Sequence, residues 1–149
     1  MSHALYLEDF QPGQRFESRG RTLTESDLTM FAMLSGDWNP VHVDAAFMKE
    51  SRYGQRILHG LLGPAVMTGM MHTLGIFDGS AIAMLDVKEL RFLKPLLIGQ
   101  TVHLELEILS VRETSDGQRG VVDRLFRLVD SEGVTVQEMR SAVLVAKRG

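Results

Sequence analysis

The chain has 149 residues, a length that fits one domain able to bury a core without disulfides or metal staples. Hydrophobic residues make up 44% and charged residues 23%, which excludes a disordered chain, and a net charge of −3 gives no basic excess for a nucleic-acid surface. With no cysteine, disulfides, thiolate metal sites and a cysteine nucleophile are all excluded, a composition compatible with the cytoplasm.

Residues 1–10 carry Glu8 and Asp9 and lack an apolar centre, so they do not read as a secretory signal. Phe10-Gln11-Pro12-Gly13 is a turn pattern. Residues 15–23 alternate loosely and read as a strand. Thr24 is placed to cap a helix, with Glu25 and Asp27 at its positive end. Leu28, Phe31, Ala32 and Leu34 give that helix an apolar face, and Gly36 is its stop. Pro40 pushes Asn39 out of helical geometry, so residues 37–42 are expected to be a loop. Asp44 caps a short helix through Glu50, and Tyr53-Gly54-Gln55 is a second loop.

Residues 60–75 predict a helix apolar nearly all round, from Leu61, Leu62, Ala65, Val66, Met67, Met70, Met71 and Leu74. Such a helix has to be enclosed. Pro64 sits in its first turn, and Pro64, Thr68, His72 and Thr73 break the stretch, which is too short to span a membrane. Strands follow at residues 84–92, 101–112, 120–129 and 134–146. The second is the clearest, with Val102, Leu104, Leu106 and Ile108 alternating against His103, Glu105 and Glu107. Asp116-Gly117 and Ser131-Glu132-Gly133 supply the turns. The fold class is therefore α+β, an antiparallel sheet curled around a long helix in a single domain over 1–149. A lone sheet of this kind leaves edges and an open face, so a homodimer or larger homo-oligomer is expected.

The densest polar cluster is Ser35-Gly36-Asp37-Trp38-Asn39-Pro40-Val41-His42-Val43-Asp44, followed by His59-Gly60 at the start of the apolar helix. Asp37 and His42 flank a proline turn that lets both side chains meet, and a carboxylate and an imidazole sharing a water can hold it and move its protons. The N–H groups near Gly60 suit an oxygen that gains negative charge. The set fits proton transfer beside a carbonyl with gain or loss of water at the next carbon, with no metal or redox cofactor. Each residue also has a structural reading: Asp37 as a turn former, His42 and His59 as backbone-bonded histidines, Gly60 as a backbone necessity. His72 and His103 read as structural or solvent-facing. Asp37, His42 and His59 match no standard zinc spacing, so no metal is expected. Met67, Met70 and Met71 read as core filler.

This run, with Ile57-Leu58-His59-Gly60, resembles the hydratase motif of the MaoC-like family, which includes the R-specific enoyl-CoA hydratases. The likeness extends through residues 22–27, Phe31-Ala32, Arg91-Phe92, Pro95 and Gly99, most of the chain. It implies a hotdog fold and a dimer or larger assembly. It implies that Asp37 and His42 are the catalytic pair on water and that the Gly60 N–H receives the thioester carbonyl. Asn39 supports the loop, and Thr68 falls where some members place a serine; Ser35 and His59, within the motif, are taken as supporting residues. The substrate would be a trans-2-enoyl thioester of CoA or of an acyl carrier protein, with CoA only as part of the substrate. Tyr53, where many members carry phenylalanine, and Lys49-Glu50 depart from the pattern. A hotdog acyl-CoA thioesterase and a non-catalytic acyl-thioester-binding subunit are the alternatives. Arg52, Arg56, Arg91 and Lys94 are the cations available for carrier phosphates.

Overall fold

The helices follow from their caps. In the computed structural model, which describes residues 4–149, Thr24 closes a capping box with Asp27 and starts α1 (Glu25–Ser35). The first three residues of the stretch 1–10 lie outside the described residues. Gly36, at φ 74°, ends α1 in the left-handed conformation that glycine adopts without strain. Leu28 and Ala32 are buried and Phe31 packs beside them, but Leu34 is 85% exposed, because six residues beyond Leu28 the helix has rotated off that face.

The expected loop at 37–42 contains a helical turn, α2 (Pro40–Val43). The proline that excludes Asn39 from the helix is itself preset for the first helical position, and Asn39 Oδ1 caps the Val41 N–H at 3.1 Å. Asp44 then caps α3 (Ala45–Lys49) through the Phe47 N–H at 2.9 Å.

The apolar helix, α4 (Leu62–Thr73), starts two residues later than its hydrophobic run predicts. It buries Leu62, Gly63, Val66, Met67 and Met70. Full enclosure does not hold within one chain: Leu61, Ala65 and Gly69 are exposed along the opposite side. No described helix is long and apolar enough to cross a membrane.

Among the described residues seven strands make one sheet, ordered β1 (Arg15–Glu17), β5 (Thr101–Glu113), β6 (Arg119–Asp130), β7 (Thr135–Ala146), β3 (Ala81–Met84), with β2 (Arg21–Thr22) also on β5 and β4 (Lys88–Phe92) also on β7. Every pairing is antiparallel. The expected strand at 15–23 is split into β1 and β2, and of the one expected at 84–92 only β4 forms within those bounds, with β3 beginning ahead of it at Ala81. Between β3 and β4 the Asp86 carboxylate takes the Ala142 N–H at 2.9 Å, where a ladder carbonyl would sit. Between β1 and β2 the Ser18 hydroxyl does the same to the Leu104 N–H at 2.9 Å.

Register shifts at Ile108/Ser110 and at Leu128/Val129 interrupt the ladders of the long strands, and such bulges bend a sheet. The concave face sets Val102, Leu104, Leu106, Ile108, Phe126, Leu128 and Met139 in one core with Val66, Met67 and Met70 of α4. This is the hotdog arrangement, one helix lying in a curved antiparallel sheet. Close approach at the helix depends on Gly63, since a Cβ there would lie 1.8 Å from Oε1 of Gln137. Gly63→Ala is predicted to destabilise the fold by about 1–3 kcal/mol, read by denaturant unfolding, because the buried Gln137 has to move; unchanged stability would contradict this packing.

Candidate active site

The left-handed cap at Gly36 turns the chain out of α1 and presents Asp37. Ser35 anchors the exit: its hydroxyl donates to the Phe31 carbonyl at 2.7 Å and accepts the Asp37 N–H at 3.2 Å. The two Asp37 oxygens divide the turn-forming and chemical readings between them. Oδ1 accepts the Asn39 N–H at 3.2 Å, and Oδ2 faces Nε2 of His42 at 3.6 Å. That second separation is too long for a direct hydrogen bond. The gap is one that a water hydrogen-bonded to both atoms would bridge.

The His42 tautomer follows from its other nitrogen. Nδ1 lies 2.7 Å from the Ile57 carbonyl, which can only accept, so Nδ1 carries a proton. Nε2 of the neutral ring is then bare and able to take a proton. The same argument applies to His59, whose Nε2 donates to the Asp37 carbonyl at 2.8 Å. The two rings stack with centroids 3.7 Å apart, and both are buried, while half of the Asp37 side chain is open to solvent. His59 is thus a brace under the pair, one nitrogen on the Asp37 backbone and one face on His42.

Donor atoms of Asp37, His42 and His59 lie within 4.8 Å of one another, close enough to raise the question of a metal. Stacked rings at an interplanar angle of 23° send their in-plane lone pairs side by side rather than toward one point. Tetrahedral nitrogen ligation at about 2.0–2.1 Å needs converging lone pairs. The set suits a hydrogen-bonded water better than an ion.

Gly60 lies just ahead of α4, and among the described residues no backbone or side-chain acceptor takes its N–H. Its carbonyl accepts from Nε2 of the buried Gln137 at 2.9 Å, which fixes the peptide. A Cβ at Gly60 would press on the Phe92 ring at 3.2 Å, so a glycine keeps this approach open. His42, Gly60, Phe92 and Gln137 line one cavity of about 300 Å³, with Arg52 and Lys94 also on its wall. Of the other cations, Arg56 is held by Glu25 at 2.7 Å.

The structure therefore brings together Asp37, His42, His59 and Gly60, with Ser35 and Asn39 holding the loop. It does not bring Thr68 there. That hydroxyl donates to the Ala65 carbonyl at 2.8 Å and lines a different cavity two helical turns away. His72 and His103 stand apart but do have acidic neighbours, Asp78 at 3.5 Å and Glu17 at 3.5 Å. Gln137 was missed by sequence reasoning, because it stands beside Glu138, Arg140 and Ser141 on a strand with several polar residues and nothing local marks it out.

The brace has a measurable consequence. His59→Phe keeps a ring against His42 but loses the bond to the Asp37 carbonyl. Backbone amides of residues 36–42 are then expected to exchange hydrogen faster while the sheet stays protected. Unchanged exchange in that loop would contradict the assignment.

The sequence matches the family described as MaoC like domain over residues 9–125. It is 36% identical over 101 residues to Protein MaoC of Klebsiella aerogenes and 35% identical over 97 residues to the (R)-specific enoyl-CoA hydratase of Rhodospirillum rubrum, covering 68% and 65% of this chain. The aligned stretches span only 30% and 65% of those proteins' own lengths. A solved structure described as a monoamine oxidase regulatory protein from Archaeoglobus fulgius superposes with a TM-score of 0.91 at 31% identity, covering 100% of this chain and 99% of that one. With the match spanning most of the described sheet and the whole Asp37-to-Gly60 motif, the chain belongs to the MaoC-like family.

Proposed function

We propose that this protein interconverts trans-2-enoyl thioesters and (R)-3-hydroxyacyl thioesters by adding or removing water. The observation that carries this reading is the bare Nε2 of His42, 3.6 Å from the Asp37 carboxylate and in one cavity with Gly60. The name of the Rhodospirillum rubrum relative supports both the reaction class and the stereochemistry.

In the hydration direction, Asp37 and His42 hold a water between them. His42 Nε2 takes one of its protons as the water oxygen bonds to C3. The C2–C3 double-bond electrons shift toward the thioester carbonyl, whose oxygen gains negative charge against the Gly60 N–H. C2 then receives the proton held by the pair. The water's oxygen and one hydrogen end on C3, its other hydrogen ends on C2, and the thioester bond stays intact. Ser35, Asn39 and His59 position the loop, and Gln137 positions the Gly60 peptide. No redox cofactor or metal enters these steps, and CoA or an acyl carrier is present only as part of the substrate. Arg52 and Lys94, on the cavity wall, are the cations placed for the carrier's phosphate.

We also infer a homodimer. β3 is an edge strand exposed along its whole length, with Ile82 and Met84 half-exposed, and the open side of α4 adds Leu61. Apolar surface of this kind on an edge is unfavourable in water unless a second copy covers it.

Asp37→Asn and His42→Ala are each expected to lower kcat/KM for crotonyl-CoA by about 10²–10⁴-fold, followed as loss of enoyl-thioester absorbance. Wild-type rates in either variant would sink the acid–base assignment. In solution, light scattering should give twice the 16.6 kDa chain mass, and Ile82→Glu should shift it toward the single chain. A wild-type monomer would refute the dimer.

A further inference from the structure

Core-facing positions on β6 alternate as Val122, Arg124, Phe126 and Leu128, and three of these are apolar. The fourth is a guanidinium only 2% exposed. A buried charge is costly unless it is paired. Among the described residues no carboxylate forms an ion pair with Arg124; the neighbouring Asp123 is taken by Arg140 at 2.5 Å. Burial lowers the Arg124 pKa to about 10 against the opposing pull of Asp123 and Asp86, so the group stays charged at neutral pH.

Its hydrogen bonds leave room for a ligand. Nε donates to the Ser141 carbonyl and Nη2 to the Ser141 hydroxyl, each at 3.1 Å. Nη1 has only the Met71 sulfur, at 2.9 Å, and a thioether is a weak acceptor. Two of the five guanidinium hydrogens thus have no partner among the described residues. The Phe77 and Phe126 rings lie 5.2 and 4.8 Å from the guanidinium carbon and hold the side chain in place.

Arg124 lines a cavity of about 260 Å³ whose other walls include Thr68, Met71, Ala81, Met84 and Val143. This cavity and the catalytic one lie along the same two elements. Phe92 of β4 stands against Gly60 at the start of α4, and Ala81 and Met84 of β3 stand with Thr68 and Met71 further along it. The helix and the β3–β4 edge therefore run side by side in opposite directions, from the Gly60 N–H to the guanidinium. Met71 lies eleven residues beyond Gly60, roughly 15 Å along a helix.

We propose that Arg124 recognises a carboxylate at the far end of the acyl chain, so that the preferred substrates are enoyl thioesters of dicarboxylic acids. The proposal rests on the hydratase reading for the position of the thioester: with the carbonyl at Gly60, the chain follows α4 and its terminal carboxylate replaces the Met71 sulfur at Nη1. A carboxylate matches the guanidinium in charge and geometry where a methyl end leaves it unsatisfied.

The test compares trans-2-enoyl-CoA pairs of equal chain length, one ending in methyl and one in carboxylate, across a range of lengths. At the length that reaches Arg124 the wild-type protein should favour the carboxylate in kcat/KM by about 10–100-fold. Arg124→Met should erase that ratio, and Arg124→Lys should keep part of it. Equal or lower kcat/KM for the carboxylate at every length in the wild type would overturn the proposal, and this arm holds even if a variant fails to fold. If no substrate turns over, calorimetric binding of the saturated pairs to the wild type decides. Preference for the carboxylate end upholds the Arg124 site while the hydratase reading fails; equal affinity overturns the site.

Discussion

A helix as apolar as α4 cannot remain in water, and the way it is covered organises the molecule. β5, β6 and β7 are long enough to bend around it, and their register shifts fall where the sheet must curve. Burial of Val66, Met67 and Met70 against Leu104, Phe126 and Met139 sets the depth of the groove. Gly63 lets the first turn of α4 approach the sheet closely enough for Gln137 to reach the Gly60 carbonyl. Packing of the core and presentation of the Gly60 N–H, which has no acceptor among the described residues, at the candidate cavity are consequences of the same contact.

The stretch from Gly36 to Asp44 is dense in caps. Gly36 stops one helix, Asn39 starts a second and Asp44 a third, all within nine residues. This density of local hydrogen bonds holds an exposed carboxylate in a defined place, where a longer loop would let it wander. His42 is fixed from the other side by the Ile57 carbonyl, which also decides which of its nitrogens is basic. The pair is thus held in place by the fold itself, and the proposed function draws on that preorganisation.

Much of this was legible in the sequence because it is local. Thr24, Gly36 and Asp44 announce helix ends through short-range chemistry, and the alternation of residues 101–108 announces a half-buried strand. The Asp37, His42 and Gly60 assignments came from a motif confined to 26 consecutive positions. What was illegible depends on contacts distant in sequence. Nothing near Asp86 reveals that its carboxylate will take the Ala142 N–H between β3 and β4, and nothing near Leu34 shows that its face of α1 stays uncovered. Arg124 looks like one more charge on a strand with Asp123 and Arg127, and only the pairing register turns it inward. Thr68, at a position where some members of the family place a serine, lies two turns along α4 from Gly60 and lines the cavity of Arg124 instead.

The proposed function has Asp37, His42 and Gly60 adding water to carbon while leaving the thioester intact, and the fate of the water oxygen tests that proposal directly. Crotonyl-CoA would be incubated with the protein in heavy-oxygen water and the products resolved by mass spectrometry. The account predicts the label in the hydroxyl at C3 of an intact (R)-3-hydroxybutyryl-CoA. Label in a released carboxylate, with free CoA thiol, would contradict it and place the activated water at the carbonyl carbon instead.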